Sequence, residues 1–93
     1  MKRLRANISL NDSRDNVILS NVEIWLMENS DPRSGLRSWD GKFNLARGQW
    51  LEIMERYFIE LEDGRSGEML LTRIAPGTNH PTTVNFLGSG ELG

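Results

Sequence analysis

The sequence contains no cysteine and only one histidine, His80. Without cysteine the chain has no disulfide, no thiolate nucleophile and no cysteine-based zinc site. His80 has no second histidine to complete a metal site, and no Gly-x-Ser-x-Gly elbow is present to make it the base of a triad. We therefore predict a noncatalytic protein with no catalytic residue, no metal and no cofactor, whose stability comes from packing alone.

Long apolar runs are also missing. No segment approaches the ~20 apolar residues of a membrane helix. The start Met1–Arg5 is basic, but alternating polar residues follow where a signal peptide would have an apolar stretch. With 38% hydrophobic and 26% charged residues among 93, the composition is that of one globular domain. We expect one soluble cytoplasmic domain, residues 1–93, with no membrane contact.

A strong excess of charge is absent as well. The net charge is −2 and the sequence pI is about 5.3, which argues against strong nonspecific binding to nucleic acid. The charge is uneven, however: residues 1–50 hold eight Lys or Arg and six Asp or Glu, whereas residues 51–93 hold three and seven. A local basic patch is therefore compatible with the composition.

Helical periodicity is scarce, and alternation with a period of two dominates. Residues 3–10 and 17–28 each place apolar side chains on one face, and together they predict a hairpin across a polar turn, Asn11–Asn16. Further strands are predicted around 39–45, 57–61, 69–74 and 82–86, separated by loops at Asn29–Arg37 and Ala75–Pro81. In the predicted strand 69–74, Met69, Leu71 and Arg73 share a face, with Ile74 on the other.

Two segments depart from this pattern. Trp50, Ile53 and Met54 have the i, i+3, i+4 spacing of a helix face, so at most one helical turn is expected near 49–55. The Gly-rich residues 88–93 are expected to form a flexible or looping tail in which Leu92 packs back onto the domain. The fold prediction is all-β: a small closed or partly open antiparallel barrel of about six short strands, with SH3-like, oligonucleotide-binding-like and other topologies left open.

The stretch ELEDGRSGEML, residues 60–70, reads either as a turn or as an anion-binding loop. A three-residue loop with Gly64 in the left-handed conformation opposes Tyr57 to Met69, which puts apolar residues on one face. Gly67 would then give clearance beneath a bulky neighbour. Because three glutamates and Asp63 surround the loop, an anion held by Arg65 is disfavoured, and we predict Asp63, Gly64 and Gly67 to be a structural turn.

Tryptophan and arginine provide the functional candidates, because both are enriched at protein interfaces. We predict a protein-interaction or accessory module that contacts another protein or a second copy of itself. The candidate interaction surface is Trp25, Trp50, Arg33, Arg37 and Arg47. The alternative is an oligonucleotide-binding barrel that uses Arg33, Arg37, Trp39, Lys42 and Arg47, although Trp39 and Phe43 are favoured as core. A hydrolase with paired glutamates ranks third.

Three motifs occur in a suggestive order. They are W-x-G-x-F at residues 39–43, Y-x-x-E-L-x-D-G-R-x-G at 57–67 and F-x-G-x-G-x-L at 86–92. This arrangement resembles a group of small bacterial proteins and domains with no established activity, and the resemblance covers roughly the C-terminal two thirds of the chain. It implies a compact β-barrel and supplies no catalytic residue.

Overall fold

The computed structural model describes residues 1–93 as six strands with no helix. The strands are β1 (Lys2–Leu10), β2 (Ser13–Ser30), β3 (Arg37–Leu45), β4 (Arg56–Leu61), β5 (Ser66–Ala75) and β6 (Thr82–Ser89). They form a closed barrel in the order β1-β2-β3-β6-β5-β4, with every neighbouring pair antiparallel. The predicted all-β barrel is confirmed, and its closed form leaves no strand without a neighbour on either side.

The alternating apolar residues of each strand point into the barrel, as the sequence pattern predicts. Every strand supplies at least one side chain with no solvent exposure: Ile8, Ile24, Phe43, Ile59, Met69, Leu71 and Val84. They belong to a single core cluster of 17 buried residues. Because all six strands converge on one core, the barrel interior is filled with side chains.

The turn between β4 and β5 has the predicted geometry. Gly64 has a φ of +93°, its backbone N–H donates to the Leu61 carbonyl at 3.0 Å, and the Leu61 N–H donates to Arg65 at 2.8 Å. The register pairs Tyr57 with Met69, as expected from matching the faces. This turn therefore sets the alignment of two strands.

Trp39 explains two of the glycines. A Cβ on Gly67 would lie 2.8 Å from Trp39 Cζ2, and a Cβ on Gly88 would overlap the indole. The Trp39 Nε1–H donates to the Gly90 carbonyl at 2.9 Å. The predicted clearance at Gly67 is thus occupied by Trp39, which fits into the core beneath β5 and β6.

Residues 88–93 lie along the barrel. β6 continues to Ser89, and Leu92 packs against the core. Gly93 exchanges two backbone hydrogen bonds with Ser66, at 3.0 and 3.1 Å. The chain after β6 is therefore attached to β5, where the sequence predicted a tail.

Several predicted boundaries are wrong because the strands are longer than the apolar pattern. The β1–β2 turn is only Asn11 and Asp12, and the loop between β2 and β3 is residues 31–36. At 18 residues, β2 would span about 56 Å if straight, yet the longest dimension of the molecule is 42 Å. Register shifts against β1 and a left-handed residue, Asn21, with a φ of 55°, accompany the bend that this length requires.

A second irregularity reverses the predicted faces at the end of β5. The pairing with β6 shifts between Leu71 and Arg73. Beyond the shift, Ile74 packs against the core and Arg73 is exposed. The prediction that Arg73 shares the face of Met69 is therefore wrong, because one bulge inverts a period of two.

The connections of an antiparallel barrel alternate between its two ends. One end, here called the upper end, has the turn 11–12 and the loops 46–55 and 76–81. The other, the lower end, has the loop 31–36, the turn 62–65 and the residues after β6. This division decides which candidate residues lie together.

Candidate functional site

Three large apolar side chains are exposed on the loop 46–55 at the upper end. Trp50, Ile53 and Met54 expose 62%, 50% and 66% of their surface, and we call them the apolar triad. No helical turn forms at 49–55, so their spacing does not place them on the core. The residue of this loop that is buried is Leu51, at 2% exposure.

The backbone of this loop is fixed to the barrel although its side chains face outward. The Met54 N–H donates to the Leu71 carbonyl at 2.8 Å, and the Leu71 N–H donates to Glu55 at 3.2 Å. The Glu52 N–H donates to the Tyr57 hydroxyl at 3.0 Å. Together with the burial of Leu51, these bonds hold the backbone of the triad against the barrel.

Met54 has an unusual backbone conformation. Its φ is +64°, in the left-handed region that a residue with a side chain occupies at a cost of about 1–2 kcal/mol. Such conformations persist only where the surroundings impose them, and they are frequent at binding and active sites. Here the Met54 N–H is bonded to the Leu71 carbonyl of β5, and the Met54 side chain is exposed.

Negative charge borders the apolar triad. A groove of about 450 Å³ is lined by Asp12, Glu52 and Glu55, with the Tyr57 ring and Arg56 also contributing. Arg56 forms a salt bridge with Glu68 at 2.8 Å and donates a hydrogen bond to the Ser89 hydroxyl. The three groove carboxylates make no salt bridge, so the groove keeps its negative charge.

The structure does not bring the five predicted surface residues together. Trp50 and Arg47 share the upper loop, whereas Arg33 lies in loop 31–36 and Arg37 begins β3, at the lower end. The eight residue steps along β3 separate the ends by about 26 Å. Trp25 is half-buried on the side wall.

The oligonucleotide alternative also loses its aromatic residue. Trp39 is 3% exposed and Phe43 is fully buried, and the two pack around Phe86, with ring centroids 6.1 and 6.0 Å from it. A base cannot stack on a ring that the core encloses. Trp39 therefore acts as a core residue, and the predicted set has cations at both ends of the barrel.

Arg65 belongs to a charge network at the lower end. Its guanidinium contacts Glu28 Oε1 at 2.6 Å and Asp63 Oδ2 at 3.0 Å. The Arg65 backbone N–H, donating to Asp63, lowers the pKa of that carboxyl, and the hydrogen bond to Glu28 raises the pKa of Arg65. With two carboxylate partners, Arg65 joins the turn to β2.

No group of three or more His, Asp or Glu side chains is placed to hold a metal ion. His80 is exposed, with Nδ1 3.1 Å from the Pro81 carbonyl. The chain has no helix long and apolar enough to cross a membrane.

The geometry defines a small closed antiparallel barrel with an exposed apolar loop at one end. No family model, no characterised protein and no solved structure matches the chain.

Proposed function

We propose that this barrel is a noncatalytic protein-interaction module whose contact surface is the apolar triad. The observation that supports it is the combination of three exposed apolar side chains with a backbone anchored at Leu51, Glu52 and Met54. Ordering a loop on binding costs free energy, so a surface that is already ordered binds more tightly for the same contacts.

The residue types support a protein partner. Tryptophan is among the residues that contribute most at the centre of interfaces, and methionine adapts to irregular surfaces. Glu52 and Glu55 alternate with the triad, so a partner with an apolar centre and basic residues around it is complementary. The partner is another protein or a second copy of this chain, in the cytoplasm. Membership of the small barrel group with the W-x-G-x-F pattern is part of this proposal.

Photocrosslinking tests the surface directly in the cells that express the protein. Trp50 is replaced by benzoylphenylalanine, with Leu36 as a matched site, because Leu36 is 73% exposed and lies at the lower end. We expect an adduct of defined mass from position 50 and its absence from position 36. An adduct of twice the chain mass identifies self-association, which light scattering then checks.

A second variant links the adduct to the apolar triad. Ile53→Ser with Met54→Ser, in the chain crosslinked from position 50, should abolish the adduct while thermal stability stays unchanged. No adduct from position 50, the same adducts from position 36, or an adduct that persists in the double variant would each contradict the proposal.

A further inference from the structure

A second surface lies on the outer wall, where the strand register aligns residues that are far apart in sequence. Arg3 pairs with Trp25, Trp25 with Lys42, Lys42 with Asn85, and Asn85 with Arg73. These five residues, here called the transverse row, cross β1, β2, β3, β6 and β5. Three of them are cations, and they alternate with a tryptophan and an asparagine.

The row faces outward along its whole length. In four of the five strands the row residue is next to a buried residue: Leu4 beside Arg3, Ile24 beside Trp25, Phe43 beside Lys42 and Val84 beside Asn85. Arg3, Lys42, Asn85 and Arg73 are exposed, and Trp25 is half-buried. Neighbouring strands are about 4.8 Å apart, so along the backbone the row is about 19 Å long and its cations recur about every 10 Å. Because the row crosses five of the six strands of a closed barrel, it curves around the barrel and its outward side chains diverge.

The charges of the row are largely available to a ligand. Neither Lys42 nor Arg73 makes a salt bridge, and Arg3 pairs with Glu23 at 3.2 Å with 70% of the arginine side chain exposed. The other acidic side chains of these five strands are Asp15 and Glu28 of β2, Asp40 of β3 and Glu68 of β5. Glu28 and Glu68 are paired with Arg65 and Arg56. The cation–π contact of this structure is Arg14 over Phe58, so no cation is stacked on the Trp25 ring.

We propose that the transverse row binds single-stranded nucleic acid. Arg3, Lys42 and Arg73 would contact phosphates, and an unpaired base would stack on Trp25, with the Asn85 amide available to a base edge or sugar. Alternation of cations with an aromatic ring is the arrangement by which β-surfaces bind single strands. An acidic peptide would use the cations and leave the ring without a role.

The inference concerns a different face from the apolar triad and does not depend on it. Its residues also differ from those of the oligonucleotide prediction made from sequence, because the predicted set and the transverse row have only Lys42 in common. Three phosphate contacts make the affinity modest and strongly salt-dependent.

The test is fluorescence anisotropy with a labelled oligothymidylate of about twelve nucleotides at several salt concentrations. For three phosphate contacts, the slope of log K against log salt should be about −2. Lys42→Ala should reduce the slope to about −1.4. Trp25→Ala should leave the slope unchanged and weaken binding by about 5-fold or more, because stacking on an aromatic ring contributes independently of salt.

Matched controls separate the row from general charge. Arg33→Ala and Arg47→Ala each remove the same charge off the row and should leave the affinity within about twofold. Circular dichroism confirms that each variant is folded. The proposal is overturned by the absence of binding, by equal loss in the control variants, by equal binding to a duplex of the same length, or by equal competition from oligoglutamate with no effect of Trp25→Ala.

Discussion

At the scale of single residues, Gly64 carries the clearest conformational requirement. Its φ of +93° lies where a β-branched side chain is strongly disfavoured. We expect Gly64→Val to lower the free energy of unfolding by about 2 kcal/mol. Urea unfolding followed by circular dichroism measures it, and Arg65→Ala, which removes two partly exposed ion pairs and no backbone constraint, should cost clearly less. An unchanged midpoint in Gly64→Val would refute the positive-φ turn.

Asp63 in the same turn predicts a pH dependence. Its pKa is lowered in the folded state, chiefly by the Arg65 backbone N–H, so ionised Asp63 stabilises the fold above the unfolded value of about 3.9. This contribution is lost as pH falls through the lower, folded pKa.

We expect the wild type to lose more stability than Asp63→Asn below about pH 4, because the amide oxygen still accepts the backbone bond but does not titrate. Urea midpoints from pH 7 to 2.5 measure the difference between the two. A difference that stays constant over this range would show that Asp63 does not act through its charge.

At the scale of elements, the loop 46–55 depends on anchors outside the residues it displays. Tyr57 is 5% exposed, and its hydroxyl accepts the Glu52 N–H. We expect Tyr57→Phe to lower the free energy of unfolding by about 1 kcal/mol and to speed amide exchange at Glu52. If preorganisation supports the proposed function, the crosslink from position 50 also weakens, although no displayed side chain changes. Unchanged exchange at Glu52 would contradict the anchoring.

Strand faces could be predicted from the sequence, and strand ends and bulges could not. Ile8, Ile24 and Ile59 lie at buried positions of a period of two, and burial of one face imposes that period. The reversal at Arg73 and Ile74 comes from a bulge, which depends on how β5 fits against β6 in three dimensions. Asn29 and Ser30 are paired in β2 although they are polar, because their backbone bonds leave no hydrophobic signal.

The candidate site was only partly predictable for a related reason. Trp50 was singled out by residue type, but Ile53 and Met54 have a spacing typical of a packed helix face. Their exposure follows from backbone bonds to Leu71, 17 residues further on, which no local pattern contains. The transverse row likewise requires a register across five strands, so no local pattern indicates that Arg3 lies beside Trp25 or that Arg73 lies beside Asn85.

At the scale of the whole molecule, closure ties all six strands to one core. The radius of gyration is 13.1 Å, close to the about 12 Å expected for a compact chain of this length. With 17 buried residues in one cluster, no subset of strands retains a core of its own, because removing any strand opens the barrel and leaves two strands with an unpaired edge.

We therefore expect a single cooperative unfolding transition. A variant with Trp25→Phe and Trp50→Phe leaves Trp39 as the sole tryptophan, so its fluorescence reports the core beneath β5 and β6. Its urea midpoint should coincide with that from circular dichroism, which reports all strands, and refolding should take milliseconds to seconds, as for other chains dominated by non-local pairing. Separate midpoints for the two probes in this variant would mean that the contacts of Trp39 with Gly67 and Gly88 break before or after the sheet, and that the barrel unfolds in parts.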